Sequence, residues 1–161
     1  MLICSANVFL NLSGGVGGEI LRRHGDSMQH ALHAWLSERR IRHVNQGDVV
    51  RTDGCGTGFR HVLHAVAVDG WYQCSAEAVR RTLENAFVQA ATIGAKNVAV
   101  VALGTGYGRL RMKDFGTGLR AAVSLEYPPM EAAVVVVNRQ EDVGEINDVL
   151  KDNSISAVEY R

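Results

Sequence analysis

Apolar and polar positions along the chain follow two alternating periods. Met1 to Ala6 is a short apolar run that predicts a buried strand, leading into a glycine-rich loop from Ser13 to Gly18. Glu19 to Arg23 predicts a helical turn. Asp26 then stands where it can cap a second helix, along which Met28, Ala31, Leu32, Trp35 and Leu36 recur at helical spacing. Asp48 to Thr52 predicts a short strand, and His61 to Val68 a longer one in which His64 and alanines alternate with β-branched residues.

The longest helical signal follows. Ser75 and Glu77 open it, Val79, Leu83, Ala86, Phe87, Ala90 and Ala91 form its inner face, and Gly94 closes it. Asn97 to Leu103 is almost wholly apolar, as a strand covered on both faces requires, and it too ends in glycines. Met112 to Leu125 predicts a helix with Phe115, Leu119 and Val123 inward. After Pro128 and Pro129 come a buried strand, Glu131 to Asn138, an amphipathic helix, Glu141 to Leu150, and a short edge strand, Ile155 to Tyr160. Strands alternate with helices throughout, which predicts one layered α/β domain over residues 1–161, with helices on both faces of a mixed sheet. Ligands of such folds bind off the carboxyl ends of the strands.

Composition narrows the function classes. The chain has 161 residues, enough for one ordinary core, and its 17 basic and 17 acidic side chains cancel. That balance argues against a nucleic-acid reader, and no apolar run reaches the length of a bilayer crossing. No leader pattern is present at the amino terminus, so a cytoplasmic protein is expected. Cys4, Cys55 and Cys74 lack metal-ligand or disulfide spacing and read as reduced thiols, Cys4 as packing. The histidines form no ligand set, and His64 reads as a hydrogen-bonded core residue; neither a metal nor a cofactor is expected.

Two glycine loops carry the chemistry. The first runs from Asn7 to Gly18 with Gly14, Gly15, Gly17 and Gly18, and the second is Gly104-Thr105-Gly106-Tyr107-Gly108. Glycines let main-chain N–H groups approach an anion, and the helix that follows the first loop adds a positive end. Two such loops at neighbouring strand ends would clamp a diphosphate. Neither loop has the Lys and hydroxyl of a nucleotide-hydrolase phosphate loop, and Gly15, Gly17 and Ile20 fail the dinucleotide fingerprint. Arg109, Arg111 and Lys113 either lend positive potential to that diphosphate or form a solvated face.

The order of these motifs resembles the macro domain. Ser5-Ala6-Asn7, Leu10 and Gly14-Gly15-Val16 are similar to its first loop, His61 to Val66 to its next central strand, and Ala102 to Gly108 to its second loop. The resemblance implies a three-layer α/β/α fold that binds ADP-ribose, or an ADP-ribosylated protein, between the loops. It implies that Asn7 holds the distal ribose, that Asn11, Gly14, Gly15, Val16 and Gly17 line one wall, and that Gly104, Thr105, Gly106, Tyr107 and Gly108 line the other, with Tyr107 covering the ligand. Two readings stay open beside these: Asn7 satisfying its own loop, and Tyr107 packing across its own.

The chain also departs from the family. Hydrolases of the family commonly carry an Asp after the loop valine, where this chain has Gly17, and Leu12 and Ser13 replace two further glycines. A binding module is therefore expected, with a hydrolase of ADP-ribosylated protein or of an O-acetyl or 1''-phosphate derivative as the alternative, in which Asn7 is the catalytic candidate. Relatives also begin with an extra strand bearing the Asp that reads adenine. Its place at the sheet edge is expected to be taken by Ile155 to Tyr160. A scaffold with an incomplete pocket, dimerising through an open sheet edge, is the third reading.

Overall fold

The computed structural model of the chain describes residues 1–150 and the main chain of residues 156–159. Among the described residues are five helices and six strands: β1 (Leu2–Ser5), α1 (Gly15–His24), α2 (Ser27–Glu38), β2 (Val49–Asp53), β3 (His61–Ala65), α3 (Ala76–Thr92), β4 (Asn97–Val101), α4 (Met112–Ala122), β5 (Ala132–Val137), α5 (Gln140–Leu150) and β6 (Ser156–Glu159). The strands form one sheet in the order β2-β3-β1-β4-β5-β6. All neighbours are parallel except β2 and β3. Helices α1 and α2 pack together beside β1 and β2, while α3, α4 and α5 form a contiguous layer against β3, β5 and β6. The mixed α/β/α sandwich is the expected one.

The core explains the strand sequences. In β1, Leu2, Ile3 and Cys4 are all buried, as are Val62 to Ala65 of β3, because helices cover the central strands on both faces. Edge strand β2 instead alternates buried Val50 and Thr52 with exposed Arg51 and Asp53. Burial pushes the Cys4 thiol up to about 12, so it packs as a small apolar group. His64 is buried too; its Nε2 lies 3.0 Å from the Thr52 hydroxyl oxygen, and desolvation pushes its pKa down to about 4.

Helix α1 differs from expectation. The sequence predicts a loop to Gly18 and a single turn from Glu19, whereas the helix starts at Gly15 and takes Val16, Gly17 and Gly18 into its first turn. Glycine disfavours helix interiors by about 1 kcal/mol, but burial of Gly17 and Ile20 against the loop outweighs that preference. Asp26 occupies the N-cap position of α2 without a capping bond; its carboxylate faces His30 at 3.7 Å instead. At the other edge, β6 pairs in parallel with β5, Val134 opposite Ser156 and Val137 opposite Glu159. The tail thus fills the edge position expected for it; Ile155 and Tyr160 lie outside the described residues.

Candidate functional site

The carboxyl ends of β1, β4 and β5 open into one cleft of about 1440 Å³. Its first wall is the β1–α1 connection. Strand β1 delivers the chain to Asn7, whose Oδ1 accepts from the N–H groups of Phe9 (3.0 Å) and Asn11 (3.3 Å) while its Nδ2 donates to the Asn11 carbonyl (2.9 Å). These bonds wind residues 7–11 into a tight turn around buried Val8 and Leu10, the latter at a φ of 56°. Asn7 is therefore first a loop builder, and one of its two Nδ2 hydrogens is left for a ligand.

Two further side chains fix this loop, and neither was singled out in the sequence. Gln29 of α2 accepts from the Leu12 N–H at 2.6 Å and donates to the Leu10 carbonyl at 3.0 Å. His33, one turn later, lies 2.9 Å from Oδ1 of Asn11, which leaves the Asn11 Nδ2 facing solvent and the cleft. Only their spacing on α2 joins these residues to the loop, so no local motif announces them.

Gly14 then places the start of α1 at the cleft. Its φ of 67° and ψ of 171° belong to a region that side chains hardly enter, and it caps the helix without any side-chain bond. The N–H groups of Gly14, Gly15, Val16 and Gly17 have no acceptor among the described residues. No acidic residue stands in the first turn of α1, so its positive end is not neutralised there. Glu19 lies one turn in and is paired with Arg22 and Arg23, whose hydrogen bonds hold its carboxyl down to about 2.

The second wall follows β4. The Thr105 hydroxyl donates to the Ala102 carbonyl at 2.9 Å, and the Leu110 and Arg109 N–H groups donate to the carbonyls of Gly104 (3.1 Å) and Gly106 (3.0 Å). The N–H groups of Thr105, Gly106, Tyr107 and Gly108 have no acceptor among the described residues. Gly104, at a φ of 75°, is obligatory: a Cβ there would come within 2.4 Å of Sγ of Cys74. That thiol is pushed up to about 11, chiefly by burial, and is a packing group beneath the loop.

Tyr107 joins the two walls. It is 64% exposed, and a Cβ on Gly14 would lie 2.6 Å from its hydroxyl, so the ring lies against the opposite loop, not across its own. Its other side meets Tyr72, with ring centroids 5.7 Å apart. Arg111 and Lys113 line the cleft, and Arg111 is paired with Asp114 at 2.7 Å.

All the sequence-selected residues, from Asn7 and Asn11 through Gly14 to Gly17 and Gly104 to Gly108, line this one cleft. The cleft also has walls that the motifs did not mark: Tyr72 beyond β3 at one end, and Val136, Asn138, Asp148 and Val149 between β5 and α5 at the other. No His, Cys, Asp or Glu cluster suited to a metal ion occurs among the described residues.

The family model for the Macro domain matches residues 3–116. An uncharacterised protein of Pyrobaculum aerophilum is 31% identical over 108 residues, 65% of this chain and 56% of that protein, so the match spans little more than half of that relative. Among solved structures, a mutant macrodomain of Oceanobacillus iheyensis with ADPR superposes with a TM-score of 0.82 at 20% identity, covering 93% of this chain and 83% of the other. The Trypanosoma brucei macrodomain in complex with ADP gives 0.75 at 16% identity over 92% and 62%. The macrodomain of Mycobacterium tuberculosis DarG gives 0.66 at 21% identity over 83% and 86%. With most of its length matched by the family model, and with this sheet and these two loops, the chain belongs to the macro-domain family.

Proposed function

We propose that the chain binds ADP-ribose, free or carried on a protein, in the cleft between its two glycine loops. The observation that carries this reading is the facing pair of donor runs, Gly14 to Gly17 and Thr105 to Gly108, whose main-chain N–H groups have no acceptor among the described residues. They suit a diphosphate held between the loops. The remaining Nδ2 hydrogens of Asn7 and Asn11 reach the distal ribose on the β1 side, and Tyr107 covers it. The base then lies toward β5 and α5, against Val136 and Val149. Solved macrodomains with ADPR and with ADP share this fold and support the reading.

Binding is favoured over hydrolysis because the first loop offers no available base. Gly17 stands at the position of the family's carboxylate, and Glu19 is paired with Arg22 and Arg23. The edge through which the scaffold reading would dimerise is taken by β6, paired along β5. Unpaired Cys4, Cys55 and Cys74 support a cytosolic setting.

Calorimetric titration with ADP-ribose, beside AMP, NAD and ribose phosphate, tests the proposal. Selective binding of ADP-ribose, lost in Gly15→Glu, is expected; nothing lies within 4 Å of the Gly15 Cβ position, and because its φ of 50° is left-handed the variant's folding is checked by unfolding beside the titration. Indifference to that variant would show that ligand binds elsewhere. Turnover of an ADP-ribosylated protein that disappears in Asn7→Ala would replace binding with catalysis.

A further inference from the structure

Beyond Tyr107 aromatic side chains share the surface with exposed Gln73 and Arg109. A second, shallower cavity of about 580 Å³ lies there, walled by Trp71, Tyr72, Tyr107 and Arg109. Tyr72 and Tyr107 belong to both cavities, so their tilted ring pair is the partition between them. Trp71 is 85% exposed, the most exposed large apolar side chain among the described residues. A tryptophan offers a wide, rigid contact surface, and leaving it in water forgoes its burial.

The main chain that carries it is fixed. Oδ1 of Asp69 accepts from the N–H groups of Trp71 (2.9 Å) and Gln73 (2.8 Å), the Asp69 N–H donates to the Gln73 carbonyl (3.0 Å), and Gln46 holds that carbonyl from the other side (3.1 Å). Tyr72 and Arg109 keep left-handed backbones, with φ of 61° and 51°. Non-glycine residues hold such conformations where the surrounding structure imposes them, and a main chain ordered in advance binds at reduced entropic cost.

The patch also lies at a particular end. Tyr72 follows β3, next to β1 and Asn7, whereas the β5–α5 wall is at the opposite end of the strand order. A substituent on the distal ribose would leave the cleft over Tyr72 and Tyr107 and come onto Trp71. We propose that this aromatic shelf docks the polypeptide of a mono-ADP-ribosylated protein, immediately beside the modified side chain. The inference rests on the ADP-ribose reading of the cleft. Charge selects polypeptide over nucleic acid: Arg109 is the one cation on the shelf, Asp69 lies beneath it, and the whole chain is balanced at 17 basic and 17 acidic residues, where a phosphate backbone calls for rows of cations.

The test compares free ADP-ribose with a peptide carrying ADP-ribose through a non-hydrolysable linkage, titrated into the full chain and into Trp71→Ala, whose exposed site tolerates truncation. The conjugate is expected to bind about tenfold tighter than free ADP-ribose, the contribution of one aromatic anchor, and Trp71→Ala to erase that gain while leaving free ADP-ribose affinity unchanged. If free ADP-ribose binds and the conjugate gains nothing, the shelf inference falls and the cleft stands. An equal gain from an ADP-ribosylated oligonucleotide overturns the polypeptide assignment. If neither ligand binds, the cleft reading fails and takes the shelf with it.

Discussion

Gly104 offers the sharpest physical test of how the second loop is held. Replacing it with Ala imposes two separate costs. A φ of 75° is left-handed, which for a residue with a Cβ costs about 1–2 kcal/mol. The added Cβ would also meet Sγ of Cys74 at 2.4 Å and its Cβ at 3.1 Å, an overpacking of about 1–3 kcal/mol. The single variant should therefore lose about 2–5 kcal/mol. Cys74→Ala alone removes one half-buried sulfur and should cost about 1 kcal/mol. In the double variant the sulfur clash is gone and the backbone strain stays, so the two changes should couple favourably by about 1–3 kcal/mol. Urea unfolding of the four proteins measures this directly. Additivity within about 0.5 kcal/mol would refute the contact as the source of the cost. ADP-ribose affinity should follow the same order, lowest in Gly104→Ala and partly restored in the double variant, because the loop donors move with this residue.

Three further outcomes are expected. Gly14→Ala, at a φ and ψ nearly reserved for glycine, should lose about 1–3 kcal/mol, displace Tyr107 and weaken ADP-ribose at least about tenfold; undiminished affinity in calorimetry would count against the Tyr107 cover. Gln29→Ala removes the bonds to Leu10 and Leu12 and should cost about 1–3 kcal/mol in unfolding experiments, with weaker ligand binding, whereas Gln29→Glu keeps only the bond from Leu12 and should fall between. His64 sets a pH dependence: its pKa is about 4 when folded against 6.5 for a free imidazole, so the unfolded chain takes the proton first as pH falls. Stability should be full above pH 6.5 and decline by about 3 kcal/mol as pH drops toward 4, and His64→Gln should flatten that slope; an unchanged slope in the variant would assign acid sensitivity elsewhere.

The layered fold was legible because its elements follow simple periods. Val98 and Val100 of β4, and the Val79 to Ala90 face of α3, are buried as their spacing requires. Boundaries were less so, most of all at α1, where four residues with poor helix-forming or cap-like character, Gly15 to Gly18, nonetheless form the first turn. That start depends on Gly14 turning the chain and on Leu12 packing beneath Gly17, at 3.4 Å from its Cβ position, and both are tertiary facts. The two loops could be found because they concentrate glycine at strand ends. Gln29 and His33 could not, since a helical residue that braces a distant loop has the same local spacing as one that faces solvent.

The same distinction explains why one end of the cleft was visible and the other was not. Anion recognition by main-chain N–H groups requires close approach, hence glycine, hence a compositional mark at Gly14 to Gly18 and Gly104 to Gly108. A flat base, as the proposed reading has it, would need only apolar walls and a few polar atoms, and Val136, Asn138 and Val149 come from a strand end and a helix whose sequences serve the core equally well. The cleft thus has a chemical direction, donors at its centre, an aromatic pair beyond β3 and, beside α5, Val136 and Val149 among Asn138, Arg139, Asp142, Glu145 and Asp148. A ligand matched to it must be asymmetric, with its charge in the middle and different groups at its two ends. Pyrophosphate alone should therefore bind far more weakly than ADP-ribose, since it fills the donor runs and leaves both ends empty; comparable affinity for the two in calorimetry would mean that the ends contribute nothing to recognition.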